Sequence, residues 1–271
     1  MPELPEVERA ARKIRRSVVG KVIARARLLH PSLKRRITQR ALLSLRGHRI
    51  TGVAQRAKHQ LLMLDDDRSL HVHFRMAGDW ALDHVGDELP RSARAAIEFT
   101  DGTRLLLIDP RALSALMLLP KGATPFAELG PDPWSPEFDY ALADALARRR
   151  TPIKPALLDQ RVAAGVGNIY AAEALWEARI DPTTPANSLG ASQVRDLAAA
   201  IRTVLDRGRA GGRRYRDGED RFQVYDREGE PCRRCGTAID RIVQAGRSTC
   251  FCASCQRPPA PPTRRTRARK R

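Results

Sequence analysis

The sequence predicts an α+β chain of two domains, an N-terminal β-sandwich with flanking helices and a C-terminal helical domain that ends in a β-hairpin zinc finger. Three observations carry that prediction. Apolar residues before about Leu119 fall mostly in short runs broken by turn signals, those after Pro136 recur at helical spacing, and two C-x2-C pairs lie near the end. At 271 residues the chain is long enough to bury two cores of ordinary size.

The first element is an amphipathic helix from Glu3 to Val19, with Val7, Ala10, Ala11, Ile14 and Val18 on one face and Gly20 as its stop. From Lys21 to about Leu119 strands are expected. Gln60 to Leu64 gives way to the turn Asp65-Asp66-Asp67, and then Leu70, Val72 and Phe74 alternate with His71, His73 and Arg75. The Pro- and Gly-rich stretch between Pro120 and Pro136 reads as a linker, with 121–135 as its expected extent after a first domain over 1–120. Helices are expected over Pro136–Arg149, Pro155–Ala163, Asn168–Ala178 and Ser192–Arg207. The last presents Val194, Leu197, Ile201 and Val204 on one side and is stopped by Gly208. The helical domain should cover 136–223 and the finger 224–257. Residues 258–271 combine four prolines with Arg and Lys and hold no apolar side chain larger than Ala, so a disordered basic tail is expected, either an arm for a polyanion or a solubilising tail.

The metal site rests on spacing. Cys232-Arg-Arg-Cys235 and Cys252-Ala-Ser-Cys255 are separated by sixteen residues, which lets a hairpin bring four thiolates around one structural Zn2+. A closed four-sulfur set leaves no position for water, so the ion is structural and not a Lewis acid. Cys250 could substitute as a ligand, but its C-x-C relation to Cys252 breaks the pair of knuckles, and it is read as a hairpin side chain. Between the knuckles, Gly246-Arg247-Ser248-Thr249 should present Arg247 at the hairpin tip.

The 49 Lys and Arg against 31 Asp and Glu give a formal charge of +18 and a pI near 10.8. That excess asks for a polyanion, with nucleic acid first. A ribosomal or membrane-surface protein would carry the same excess, so charge names a partner class and no reaction. No apolar run approaches the roughly 20 residues that span a bilayer, and Met1-Pro2-Glu3 is unlike a signal peptide, so a cytoplasmic protein without a membrane partner is expected. Cysteines clustered between 232 and 255 suit metal ligation in a reducing compartment.

Removal of Met1 ahead of a small residue would leave Pro2 with a secondary amine not far above neutrality in pKa. At the start of a helix the positive dipole end disfavours its ammonium form. A neutral amine there can attack an aldosidic carbon and form a Schiff base. Glu3 beside it and Glu6 one turn on can move protons, although Glu in a first turn also simply stabilises a helix.

Met1-Pro2-Glu3-Leu4-Pro5-Glu6-Val7-Glu8 resembles the opening of the formamidopyrimidine-DNA glycosylase and endonuclease VIII family. Further blocks resemble the same family in order: Lys58 leading a strand, His71-Val-His-Phe-Arg-Met76-Ala-Gly78, Asp109-Pro110-Arg111, and Ile153-Lys154 through Asp159-Gln160 to Gly165-Val-Gly167-Asn168-Ile169-Tyr170. Val224-Tyr225, Gly229-Glu230-Pro231-Cys232 and the zinc hairpin complete the set. The resemblance implies a β-sandwich domain and a helix-two-turn-helix domain with a zinc finger, with damaged double-stranded DNA in the cleft between them, bound by a monomer. It implies catalytic roles for Pro2 as Schiff-base nucleophile, Glu3 as acid and Lys58 as an assisting lysine. Lys58, His71, Asn168 and Arg247 would clamp phosphates, Lys154 would join the DNA contacts, and Met76, Arg111 and Leu113 would fill the space left by an everted nucleotide. Independently, the turn before Asn168 leaves free amides at a helix N-terminus, where an anion is favoured. His71, opposite in phase to Leu70, Val72 and Phe74, should face away from the core. Singly, Met76 and Leu113 would pass for core residues.

Two departures bear on substrate. Leu113 stands where the formamidopyrimidine branch usually has Phe, and Ser114 where Gly is usual. The loop between Gly208 and Gln223 is shorter than the loop that caps an everted 8-oxoguanine in relatives, so activity on 8-oxoguanine is doubtful while abasic sites, ring-opened purines and oxidised pyrimidines remain plausible substrates. The expected function is a base-excision DNA glycosylase with AP lyase activity acting by β,δ-elimination. The alternatives are an abasic-site lyase of narrow range and a non-catalytic binder of damaged DNA.

Overall fold

The computed structural model describes residues 2–210 and 222–257. The loop residues from Gly211 to Gly218 and the tail from Pro258 lie outside them.

Helix α1 (Leu4–Val18) opens the chain and ends where Gly20 takes a positive φ of 86°. Eight strands follow: β1 (Ile23–Leu28), β2 (Ile50–Arg56), β3 (His59–Leu64), β4 (Ser69–His73), β5 (Asp79–His84), β6 (Ala93–Phe99), β7 (Thr103–Ile108) and β8 (Ala115–Leu119). A short helix α2 (Gln39–Leu43) lies between β1 and β2. The strands form two antiparallel four-stranded sheets, ordered β1-β6-β7-β5 and β2-β3-β4-β8. Period-two alternation puts Leu62, Leu70, Val72 and Leu116 of one sheet and Ile97 and Leu105 of the other into one core, the sandwich the sequence predicts. Helix α1 seals an edge of that core with Val7, Ala11, Ile14 and Val18.

The helical half comprises α3 (Phe138–Ala147), α4 (Ile153–Leu158), α5 (Asn168–Glu177) and α6 (Ala191–Ala210), packed around Phe138, Leu142, Leu157, Ile169, Leu197 and Ile201. Two strands, β9 (Asp240–Gln244) and β10 (Arg247–Phe251), pair as the finger's hairpin through Ala245 (φ 47°) and Gly246 (φ 71°). Two positive φ values in a two-residue loop match the twist of the flanking strands. Residues 121–135 run as turns, yet Trp134 packs against the second core, donates its indole N–H to Asp206 Oδ1 (3.0 Å) and stacks under Arg209.

Two helical expectations are corrected. Helix α4 ends at Leu158, because Asp159 turns back to accept the backbone N–H of Arg161 and ion-pairs with Arg149. Helix α6 does not stop at Gly208 but runs to Ala210. A Cβ on Gly208 would lie 2.4 Å from the Tyr170 hydroxyl and 2.9 Å from Pro5 Cγ, so that glycine serves close packing against α5 and α1.

The two halves meet through the first turn of α1. Leu4, 1% exposed, belongs to the core of the helical half, although the rest of α1 packs on the sandwich. Burying one leucine is worth about 1.5–3 kcal/mol, enough to fix the first turn against α5.

Candidate active site and nucleic-acid interface

Glu3 caps the start of α1 with an extended backbone, and its own N–H donates to Glu6 Oε2 at 3.1 Å. Its carboxylate is 0% exposed and accepts the N–H groups of Ile169 (3.0 Å) and Tyr170 (3.2 Å) at the N-terminus of α5. Helix α5 can come this close because residue 167 is Gly: a Cβ there would lie 2.3 Å from the Glu3 carboxyl carbon. Burial pushes the Glu3 carboxyl above the usual carboxylate range, while the charge of Lys58 and the two amides oppose that rise. The Tyr170 hydroxyl donates to Glu6 Oε1 (2.9 Å), so both acids of the first turn are tied to α5. Pro2, half-buried, heads this turn.

Lys58 lies in the two-residue turn between β2 and β3, not on the strand itself, beside Ala57 at φ 51°. It is buried, and its ammonium donates to the Val166 carbonyl at 3.0 Å. Burial pulls its pKa below the lysine range, and Glu3 partly restores it. The same carbonyl accepts from Gln160 Nε2 (2.8 Å), whose Oε1 accepts the Gly165 N–H (3.0 Å), so the loop before α5 is fixed from within. Glu3 and Lys58 thus face one another across the junction of the two halves, each moved toward its neutral form by burial.

Asn168 begins α5 with Gly167 as cap, and its Nδ2 donates to the Ser248 carbonyl of β10 (3.1 Å). Lys154 requires a correction. Expected among the DNA contacts, it is 0% exposed, and its ammonium donates to Asn168 Oδ1 (2.7 Å), the Ser248 carbonyl (2.8 Å) and Thr249 Oγ1 (2.7 Å). Three acceptors match the three N–H groups of an ammonium, so none is left for a phosphate. Lys154 fastens the zinc hairpin to Asn168, and burial lowers its pKa to about 8. Arg247, the first residue of β10, is exposed beside the turn as expected.

The exposure expected of His71 is not found either. It points away from the apolar core but is only 6% exposed, stacked on His59 with His59 Nδ1 and His71 Nε2 2.9 Å apart. Phe126 in turn packs edge-on against His59. His73, on the same face, is half-buried at the end of β4, and its Nδ1 accepts the Arg75 N–H (3.0 Å). Burial, with cationic neighbours, brings His59 and His71 to a pKa of about 4 and His73 to about 3.

Met76 and Leu113 are not core residues. They are 40% and 48% exposed, and Arg111 is exposed beside Leu113. Beneath them Asp109, fully buried, accepts the N–H groups of Arg111 (3.0 Å), Leu113 (2.7 Å) and Ser114 (2.7 Å). Sequence reasoning quoted Asp109 without giving it this role, although Asp ahead of a Pro-containing turn is the signal for such a bracket. It also passed over Glu173, whose buried carboxylate accepts the N–H groups of Gln223, Val224 and Tyr225 and so anchors the entry to the finger. A lone acid among Ile169, Ala172, Ala174 and Trp176 was its trace.

The sulfur atoms of Cys232, Cys235, Cys252 and Cys255 lie within 4.8 Å of one another, and this donor set holds one structural zinc ion. Cys250 stands outside the set and is buried with Trp176, Val224 and Ile239 in a small third core, as a hairpin side chain. Among the described residues no helix is long and apolar enough to cross a membrane.

Family models match in three consecutive parts: the formamidopyrimidine-DNA glycosylase N-terminal domain over residues 1–116, the H2TH domain of the same glycosylase over 129–216, and a zinc finger found in FPG and IleRS over 229–258. The formamidopyrimidine-DNA glycosylase of Chloroflexus aurantiacus is 41% identical over 271 residues, spanning 94% of this chain and 98% of its own. That of Paracoccus denitrificans is 40% identical over 280 residues, spanning 94% of this chain and all of its own. Among solved structures, the Lactococcus lactis enzyme bound to AP-site DNA superposes with a TM-score of 0.86 at 30% identity, covering 94% of this chain and 100% of that one. The same enzyme with Fapy-dG DNA gives 0.84, again at 30% identity and the same coverage. The chain belongs to the formamidopyrimidine-DNA glycosylase family, DNA glycosylases of base-excision repair.

Proposed function

We propose that the chain removes ring-opened or oxidised bases from double-stranded DNA as a monomer in the cytoplasm or nucleoid, and nicks the strand at the resulting site. The observation that carries this reading is the Glu3 carboxyl, fully buried on the α5 amides opposite Lys58, one residue from the helix-leading Pro2. A carboxyl whose pKa burial raises keeps its proton to higher pH than a free one, which suits a general acid.

With Met1 removed, the Pro2 nitrogen attacks the sugar carbon C1′ and the bond to the damaged base breaks, the base leaving with the proton that the attacking nitrogen gives up. Glu3 gives its proton to the ring oxygen as the sugar opens, and the nitrogen lone pair completes an imine to C1′. The imine withdraws electrons, so successive loss of a proton and a phosphate on each side gives β- and then δ-elimination. Lys58 supplies positive charge at this corner and holds Glu3 ready to release its proton.

Asn168 and Arg247 are assigned to phosphates, with Lys58 reaching the same backbone. His71 is seated under His59, so His73, which ends β4 within the field of Lys58, takes the place expected for it. Met76 and Leu113 enter the vacated stack and Arg111 meets the orphaned base. The capping loop falls largely outside the described residues, and its short length in the sequence favours ring-opened purines and abasic sites over 8-oxoguanine. A MutM chain has been solved with carbocyclic 8-oxo-G DNA, so a parallel comparison of lesions is informative.

Borohydride trapping on abasic-site duplex tests the reading. The wild type should give a covalent adduct that Pro2→Gly and an N-terminally extended form do not. No adduct from the wild type would return the chain to a binder of damaged DNA.

A further inference from the structure

The loops that carry Met76, Arg111 and Leu113 cross beneath those exposed side chains. At the crossing the Phe74 carbonyl accepts two hydrogen bonds, from the Gly78 N–H (3.1 Å) within its own loop and from the Ser114 hydroxyl (3.1 Å) of the other. Ser114 is buried. A Cβ on Gly78 would lie 2.5 Å from Ser114 Oγ and 2.8 Å from Phe74 Cα, so the backbones meet with no room for a larger residue. Each loop also holds one non-glycine residue in the left-handed region, Arg75 at φ 55° and Ala112 at φ 53°. Such geometry persists only where the surroundings over-determine it.

Phe74 is a fixed reference. Its ring packs edge-on against Trp80 (centroids 5.9 Å apart), the Trp80 indole N–H donates to Gln60 Oε1 (2.6 Å), and Gln60 Nε2 donates to the Val7 carbonyl of α1 (3.0 Å). The crossing is therefore registered against the helix headed by Pro2 and Glu3. The Arg111–Leu113 loop is held on its own side by Asp109, and by buried Arg94 donating to the Asp109 carbonyl (2.6 Å). What joins one loop to the other through a side chain is the Ser114 hydroxyl.

We propose that Ser114 is a positioning residue for base eversion, fastening the two loops into one wedge held in register with α1. Insertion by Met76 and Leu113 and reading of the opposite base by Arg111 then occur as one event. Loops so fixed lose little freedom on entering the stack, which is the advantage of preorganisation. Glycine, usual at this position in the resembling family, has no hydroxyl to offer, so the fastening belongs to this chain's own sequence. The inference rests on the enzymatic reading above.

The test uses the full-length protein and Ser114→Ala, which removes only the hydroxyl. Three readouts apply: single-turnover nicking of an abasic site in duplex and in single-stranded DNA, the dependence of duplex nicking on cytosine or adenine opposite, and 2-aminopurine fluorescence opposite a tetrahydrofuran site that cannot form an imine. Loss of one neutral hydrogen bond should lower the duplex-to-single-strand rate ratio about fivefold. Discrimination between opposite bases should narrow and the fluorescence rise should slow. If all three match wild type, the proposal is overturned, including when melting temperature falls, since that marks a merely structural hydroxyl. Absence of a borohydride adduct from the wild type on either substrate would instead remove the enzymatic reading and the proposal with it.

Discussion

Two buried lysines sit close to the N-terminus of α5, and they are built for different work. Lys154 spends its three N–H groups on Asn168, Ser248 and Thr249, leaving a saturated cation that locks the zinc hairpin in place. Lys58 donates to one carbonyl and faces the Glu3 carboxyl, and burial shifts each group's pKa toward its neutral form while the charge of the other opposes the shift. The difference teaches that burial alone does not mark a reactive lysine. What matters is whether its protons are already bound to neutral acceptors or shared with another titratable group.

Removing zinc should have the largest effect. Structural zinc contributes about 10–16 kcal/mol to a small finger, so chelation should disorder the hairpin, strip Lys154 of two acceptors and release Arg247 from its place beside the hairpin turn. Binding to a tetrahydrofuran duplex and the melting curve report it, and undiminished affinity after stoichiometric zinc loss would break the anchoring role. Next, Glu3→Gln keeps an acceptor for the α5 amides but cannot give up a proton. Conversion of lesion-containing duplex to nicked product should fall by about 10²–10⁴, the usual worth of a positioned general acid, with melting temperature little changed.

Lys154→Met leaves buried acceptors unpaired at about 1–3 kcal/mol. Duplex affinity should drop roughly tenfold to a hundredfold, while the single-turnover rate at saturating enzyme stays close to wild type. An equal loss in the chemical step would erase the contrast between the two lysines. The smallest effect sharpens that contrast. Glu3 must be protonated to act, and the Lys58 charge lowers its pKa, so in Lys58→Met the alkaline limb of the rate profile should move to higher pH as the maximum rate falls. A limb that moves to lower pH, or stays in place, would mean that another group titrates there.

Most of the architecture could be read from periodicity. Helix α1, the alternation through β3 and β4, and the two cysteine pairs depend on neighbours in sequence, and these were legible. What could not be read depends on distant parts of the chain. Lys154 is covered by residues 94 and 95 positions away, and alternation shows which face His71 takes but not that His59 and Phe126 cover it. Gly208 carries a local stop signal that the approach of Tyr170 overrides. Met76 and Leu113 err in the other direction, since apolar side chains on a loop look like core until the brackets beneath them show where they point.

Leu4 has a consequence for the order in which the molecule becomes dangerous to DNA. The first turn of α1 is synthesised early, yet its leucine rests in a core that α5 and α6 must complete, and Glu3 has no amides to face until α5 exists. Domains assemble in the order they leave the ribosome. A half-made chain therefore carries Glu3 without the amides that hold it, and the junction of the two halves matures only when the last helices have closed around the first.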